Sequence, residues 1–179
     1  MQNYMKLEIA ARSENESFAR NAVAAFALCL APSLSELSDI KTAVSEAVTN
    51  AIVHAYGKKD EGAIAIACTA EPYFAEKSGE ITGGVLHIEI TDQGCGIEDV
   101  QRALLPFFTT LAGEERSGMG FTVMQTFCDG FSVESERGKG TRVRLKKKIG
   151  GDHFQLPSAD TSACEGALIG LEREDVNAG

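Results

Sequence analysis

The amino-acid sequence predicts an α+β fold, a two-layer sandwich in which helices cover one face of a β-sheet. Apolar residues recur at helical spacing in the first third of the chain and then change to short strand-like runs. Most of the predicted strands follow one another along the chain, which favours a mixed, mostly antiparallel sheet. We therefore expect helices on one face of the sheet.

The first elements are indicated by alternation and by helix-start signals. Residues 6–12 alternate weakly and are interpreted as an edge strand. Two Ser-x-x-Glu segments, at 13–16 and 33–36, have the spacing of a capping box and predict the starts of two helices. Pro32 ends the first helix, and the second is expected to run to about Tyr56.

The later elements are shorter and richer in β-branched residues. Between the first two strands of this part, residues 71–84 are predicted to form a long exposed loop. The segments interpreted as regular structure are strands at 62–70, 84–92, 130–136 and 140–148, and helices at 97–104 and 120–128.

Composition and charge limit the classes of function. The chain has 179 residues, of which 44% are hydrophobic and 24% are charged, with a net charge of −9. This charge disfavours nonspecific binding to nucleic acid or to an anionic membrane. No apolar run approaches the roughly 18 residues of a spanning helix, and the start resembles no secretion signal, so a cytoplasmic protein is expected.

Two segments of the chain differ in composition. Residues 1–149 are predicted to form one folded domain, and residues 150–179 an acidic C-terminal tail, which is expected to be disordered or loosely docked. Five cysteines have no CxxC spacing, which argues against zinc and against a disulfide framework. We expect buried thiols, with Cys95 the residue to examine because it lies within a glycine motif.

The second predicted helix carries an acid and an amide beside its apolar stripe. Glu46 and Asn50 are four residues apart and therefore adjacent on one flank, and His54 follows one turn later. A solvated flank more often carries Lys, Arg or Gln. Taken alone, the pair is interpreted as an exposed polar edge rather than as a functional site.

The segment "DQGCG" follows a predicted buried strand. Asp92 stands at the strand end, where an ionised carboxylate suits a ligand that offers a hydrogen-bond donor, such as the amine of adenine. Gly94 and Gly96 let the backbone turn sharply and approach a ring. A plain strand-to-helix turn also explains this spacing.

The segment "RSGMG" opens a predicted helix. Gly118, Met119 and Gly120 present backbone amides, and the helix dipole favours an anion there. Arg116 and Ser117 add a charge and a hydroxyl upstream. The chain has no GxxxxGK[ST] motif, so this segment is not a P-loop.

The order of four segments, "EAVTN", "DQGCG", "RSGMG" and "GKGT", resembles the GHKL superfamily. That group includes the ATP-binding domains of gyrase, Hsp90, histidine kinases and MutL, and the resemblance implies its Bergerat-type ATP-binding fold. The segments "NESFAR", "IKTAVSEAVTNAIVHAY" and "PFFTT…ERSGMGFTVM" resemble the small serine-kinase anti-sigma factors, and most nearly the sporulation branch that acts on sigma F. This resemblance covers about residues 1–148.

The resemblance implies roles for the site residues. Asn50 would hold Mg²⁺ together with the phosphates of ATP. One protein ligand is chemically sufficient because Mg²⁺ keeps most of its waters. Glu46 would be the general base, Asp92 would bind adenine within the glycine motif, and residues 116–120 would close over the phosphates. Thr141, in "GKGT", would help to hold the base.

The resemblance also implies partners: a sigma factor held inactive by a kinase homodimer, and an anti-anti-sigma protein phosphorylated on serine. Arg20 is our candidate partner contact, and the outer sheet face with the first strand is our candidate dimer interface. Two departures are Leu111, where related lids often place lysine, and the length of segment 71–84.

Three alternatives stay open. A stress-response anti-sigma kinase would share the same chemistry with other clients. A non-catalytic module would use ATP only to sequester its partner, although Glu46 argues against it. The catalytic fragment of a histidine kinase normally follows a helical region with a phosphoacceptor histidine, and here only 13 residues precede the first helix.

Overall fold

A computed structural model describes residues 3–57, 62–107 and 118–150. The regular elements in this part of the chain are β1 (Asn3–Ala10), α1 (Ser13–Ala27), α2 (Leu34–Asn50), β2 (Ala63–Phe74), β3 (Ile81–Asp92), α3 (Val100–Ala103), α4 (Gly120–Phe127), β4 (Gly130–Glu136) and β5 (Gly140–Gly150). A 3₁₀ turn, Leu28–Leu30, follows α1, and a π-helical turn, Ala51–Ala55, continues α2.

The five strands form one sheet in the order β1-β2-β3-β5-β4. Every strand pairing among the described residues is antiparallel, which confirms the predicted α+β class; no parallel pair occurs in this part of the chain. β1 is an edge strand, as predicted, and β3 lies at the centre.

The core lies between the helices and one face of the sheet. Alternate residues of β2 and β3 face the helices because side chains of a strand alternate between its two faces. The fully buried side chains include Leu30, Ile40, Val44, Val48, Ile64, Ile66, Leu86, Ile88, Met124 and Leu145. The apolar stripe of α2 faces this core, so its polar flank lies at the edge of the interface. No helix in the described ranges is long and apolar enough to cross a membrane.

The predicted capping box at the start of α2 is confirmed. The Glu36 backbone N–H donates to the Ser33 hydroxyl at 3.2 Å, and the Ser33 N–H donates to the Glu36 carboxylate at 2.7 Å. Two helix-end amides that lack partners within the helix are thereby satisfied.

The capping box predicted at Ser13 is wrong. α1 begins at Ser13 itself, the residue at the capping position is Arg12, and no side chain caps the helix. Glu16 instead accepts hydrogen bonds from Arg20 at 2.8 Å and from the Ser45 hydroxyl at 2.6 Å. The Glu16 carboxylate therefore binds a charged partner and a residue of the neighbouring helix, and it does not take part in a local cap.

The long loop predicted at 71–84 is also wrong. β2 and β3 continue through it as a hairpin, with Phe74 opposite Ile81 and only a short connection at 75–80. Pro72 lies within β2 opposite Gly84 of β3, and in the described range β1 pairs with β2 as far as Ala70, opposite Asn3. The predicted tail lies outside the described residues from residue 151 onward.

Candidate functional site

A cavity of about 1190 Å³ opens between α2, the end of β3, the loop after β3 and the start of α4. The polar and glycine residues among those lining it are Glu46, Thr49, Asn50, His54, Asp92, Cys95, Gly96, Glu98, Asp99, Arg102, Gly118, Gly120, Arg137 and Thr141. Three of the four sequence segments therefore meet at one place. Of the fourth, "RSGMG", the structure describes residues 118–120, and Gly118 and Gly120 also line the cavity.

The acid–amide pair, Glu46 and Asn50, lies directly against the start of α4. A Cβ atom added to Gly120 would lie 3.0 Å from Glu46 Oε2 and 3.0 Å from Asn50 Nδ2. A larger residue at this position would press on both side chains, so glycine favours this close approach of two helices. No hydrogen bond or ion pair to Glu46 occurs within the described ranges.

The end of α2 holds the "DQGCG" loop in place. The Cys95 N–H donates to the Ala55 carbonyl at 3.0 Å, and the Gln93 N–H donates to the Tyr56 hydroxyl at 3.0 Å. Gly94 packs so closely on Ala55 that a Cβ atom would overlap its side chain and carbonyl. The π-helical turn thus fixes one wall of the cavity.

Asp92 is the one buried charged or polar residue of the described core, with 5% of its surface exposed. Its Oδ1 accepts hydrogen bonds from the Gly94 N–H at 2.9 Å and from the Thr141 N–H at 3.2 Å. Burial raises the pKa of Asp92, and the two N–H groups oppose this shift. A carboxylate has about four acceptor positions, so the side chain keeps capacity for a donor on a ligand.

Thr141 belongs to a small hydroxyl network beside Asp92. Its Oγ1 lies 2.9 Å from the Ser135 hydroxyl oxygen. Ser135 donates to the Gly140 carbonyl at 2.9 Å and accepts from the Ile97 N–H at 2.8 Å. The network joins the β4–β5 turn to the loop after β3 and so closes the end of the cavity around Asp92.

Several cavity residues were not predicted as site residues. Arg102 and Arg137 bring positive charge to the cavity; Arg137 is 78% exposed and lies 3.6 Å from Glu98. Arg137 falls in a segment interpreted only as a turn, and Ser135 in one interpreted only as a strand. Neither position carries a local signal, because its role depends on contacts with the loop after β3.

Other predicted residues lie elsewhere. Arg116 and Ser117, with Leu111, are outside the described residues, whereas Gly118 lines the cavity and Met119 precedes α4. Arg20 lies on α1, away from the cavity, where it is 37% exposed and paired with Glu16.

The cysteines differ in accessibility. The expectation of buried thiols is wrong for Cys95, which is exposed and lines the cavity, with its Sγ 3.1 Å from the His54 carbonyl. Cys68 is buried, and burial raises its pKa to about 12. Burial likewise raises the pKa of the half-buried Cys128 to about 11.

The sheet is backed by helices on one face, and the cavity lies at its edge. The chain matches the family described as "Histidine kinase-like ATPase domain" over residues 9–147. The fold and the match together identify a GHKL-type domain, and an ATPase domain of this type binds ATP.

Curated relatives give a narrower family. The chain is 54% identical over 148 residues to the anti-sigma F factor of Clostridium botulinum (strain Eklund 17B / Type B), which covers 83% of this chain and 96% of that protein. It is 53% identical over 150 residues to the anti-sigma F factor of Thermoanaerobacter sp. (strain X514), covering 84% and 96%. The chain belongs to the anti-sigma F factor family.

Among solved structures, the mycobacterial sensor histidine kinase MprB has a TM-score of 0.43 at 16% identity, covering 83% of this chain and 99% of that one. This likeness is weak.

Proposed function

We propose that the protein is an anti-sigma factor that binds and inhibits a sporulation sigma factor of the sigma F type. With Mg²⁺ and ATP it phosphorylates a serine of an anti-anti-sigma protein in the cytoplasm. Its family and its histidine kinase-like ATPase domain support this proposal. The observation that carries the kinase activity is the position of Gly120, which brings the start of α4 against the acid–amide pair.

ATP is bound with its base toward Asp92 and its phosphates toward α4. The Asp92 carboxylate, already held by two backbone N–H groups, accepts the hydrogen bond of the adenine amine. Thr141 and Gly96 line the same end of the cavity. The phosphates reach Gly118 and Gly120, where the helix start provides free amides and a favourable dipole.

Asn50 fits the role of the magnesium ligand. Its side chain lines the cavity beside the start of α4, and an amide oxygen is a hard ligand of the kind that Mg²⁺ prefers. A single protein ligand is sufficient when phosphates and waters supply the others. The bound ion neutralises phosphate charge during transfer.

Glu46 acts as the general base. Its carboxylate accepts the proton of the incoming serine hydroxyl while the serine oxygen attacks the γ-phosphorus and the bond to ADP breaks. Phosphoryl transfer depends mostly on positioning and on charge stabilisation, so a preformed site that receives serine from a protein is chemically adequate.

The test uses labelled ATP, the protein and its anti-anti-sigma partner. Glu46→Gln is expected to lower the rate of label transfer by about 100-fold or more while ATP affinity changes little, since general bases contribute on the order of 10²–10⁴-fold. Glu14→Gln, on the exposed start of α1, is the matched control and is expected to retain full transfer. Transfer that persists in Glu46→Gln refutes the base assignment. A wild-type protein that binds its partner without labelling it supports the non-catalytic alternative.

The proposed partners are tested separately from the chemistry. Arg20→Ala is expected to weaken binding to the sigma factor or to the anti-anti-sigma protein without changing ATP affinity, because Arg20 lies outside the cavity. Capture of a stress-response sigma factor in preference to one of the sigma F type would favour the other branch.

The proposed homodimer uses the outer sheet face and β1, where Tyr4 is exposed. Sedimentation of the Tyr4→Lys variant tests this interface.

A further inference from the structure

Exposed apolar side chains gather at the end of the domain opposite to the cavity. β3 runs from Ile81 to Asp92, so its two ends are about 36 Å apart at roughly 3.3 Å per residue. The distal patch is defined by five large exposed hydrophobic residues, which are between 41% and 86% exposed: Leu28, Leu34, Tyr73, Phe74 and Ile81.

Hydrogen bonds and packing bring the segments of the distal patch together. Phe74 pairs directly with Ile81 near the tip of the β2–β3 hairpin. Gly84, three residues beyond Ile81, packs against Leu30, the last residue of the 3₁₀ turn that begins at Leu28. The start of α2 joins this end because Glu36 accepts a hydrogen bond from the Gly150 N–H at 3.0 Å. Single exposed apolar residues are ordinary, whereas a group of this kind marks a surface that becomes covered.

We propose that the C-terminal segment 151–179 folds back and covers the distal patch, with Phe154 and Leu156 as its anchors. The described chain leaves the sheet at Gly150, which pairs with Gly83 inside the patch region. Phe154 and Leu156 are four and six residues further on. At about 3.3–3.6 Å per residue they reach roughly 14 Å and 20 Å, whereas Ile81 is two residues from Gly83, about 7 Å along the strand.

The segment lies beyond the domain shared with the family. The family match ends at residue 147, and about 148 residues of this chain account for 96% of the length of the Clostridium botulinum relative. The domain therefore has a counterpart without this segment, so variants within the segment leave the core and the cavity intact.

The test compares hydrogen–deuterium exchange and binding of an apolar dye in full-length proteins. Phe154→Ser/Leu156→Ser is expected to increase exchange in the hairpin tip, 73–81, by about tenfold or more and to raise dye fluorescence, because the patch loses its cover. ATP affinity is expected to stay unchanged, since the cavity lies at the other end. Val176→Ser, near the far end of the segment, is the matched control and is expected to behave like the wild type.

A reciprocal variant distinguishes the possible occupants. Phe74→Ser/Ile81→Ser is expected to increase exchange in residues 151–160, and its cooperative melting is followed to verify folding. Exchange and dye binding that do not differ between the wild type and the anchor variant overturn the proposal. Protection of the patch that depends on protein concentration, or that requires an added sigma factor or anti-anti-sigma protein, also overturns it, in favour of a second copy or a partner.

Discussion

Replacement of Asp92 by asparagine is expected to weaken ATP binding while leaving the fold intact. The two backbone N–H groups that donate to Asp92 Oδ1 hold the side chain in place. In Asp92→Asn the amide oxygen still accepts these hydrogen bonds, so the amide NH₂ takes the second position. Two donors then face each other at the position proposed for the adenine amine. The loss of a hydrogen bond to a charged group costs about 1.5–3 kcal/mol, which is roughly a 10- to 150-fold increase in Kd.

The stability of the fold, unlike the affinity for ATP, is not expected to fall in Asp92→Asn. Burial raises the pKa of Asp92, so its protonation favours the folded state; this contribution is full below the ordinary carboxyl range and is lost as pH rises through the folded-state pKa. At neutral pH, Asp92→Asn removes a buried charge and is expected to be as stable as the wild type or more so. Asp92→Ala leaves two N–H groups without their acceptor and is expected to lose about 1–3 kcal/mol.

Calorimetric titration with ATP and urea unfolding near pH 5 and pH 8 measure these effects. The wild type is expected to gain stability relative to Asp92→Asn on acidification. An unchanged Kd in Asp92→Asn refutes the role of Asp92 in adenine binding. Equal destabilisation by asparagine and alanine refutes the argument that the two backbone hydrogen bonds survive the substitution.

Three further predictions concern the cavity wall and the helix start. Gly120→Ala places a Cβ atom 3.0 Å from both members of the acid–amide pair, so label transfer should fall while the melting temperature changes little, because Gly120 is the first residue of α4; transfer and melting assays measure the two effects. A maleimide should modify exposed Cys95 and block ATP binding, with ATP protecting it, whereas buried Cys68, whose pKa is raised to about 12, should remain unmodified; mass spectrometry separates them. Burial by itself raises the pKa of Glu36, but hydrogen bonds from Ser33 and from a second backbone N–H lower it overall. Ser33→Ala should therefore cost about 1 kcal/mol at neutral pH, and less as pH falls below the ordinary carboxyl range, in urea unfolding.

Local signals in the sequence were sufficient for the helices and for the acid–amide pair. The 3.6-residue period places Glu46 and Asn50 on one flank of α2, and the structure places both in the cavity. The Ser33 cap was predictable because both of its hydrogen bonds are local. The similar signal at Ser13 failed because Glu16 is engaged by Ser45, 29 residues away.

The misjudged segments depend on contacts that are distant in sequence. Pro72 is a turn signal by itself, yet it lies within β2, opposite Gly84 of β3. Ser135 reaches the cavity wall through the Ile97 N–H, 38 residues away. A pattern of apolar residues predicts which face of an element is buried, but not which loops meet at its end.

The π-helical turn Ala51–Ala55 has a consequence for how insertions and deletions act on this domain. Such a turn contains one residue more than an α-helical turn, so the loss of one residue there is absorbed when the turn rewinds into an α-helix, and the residues downstream keep their positions. The loss of one residue within α2 has no such compensation and rotates the residues downstream by about 100°. A single-codon deletion at Ala51–Ala55 is therefore better tolerated than one within Leu34–Asn50.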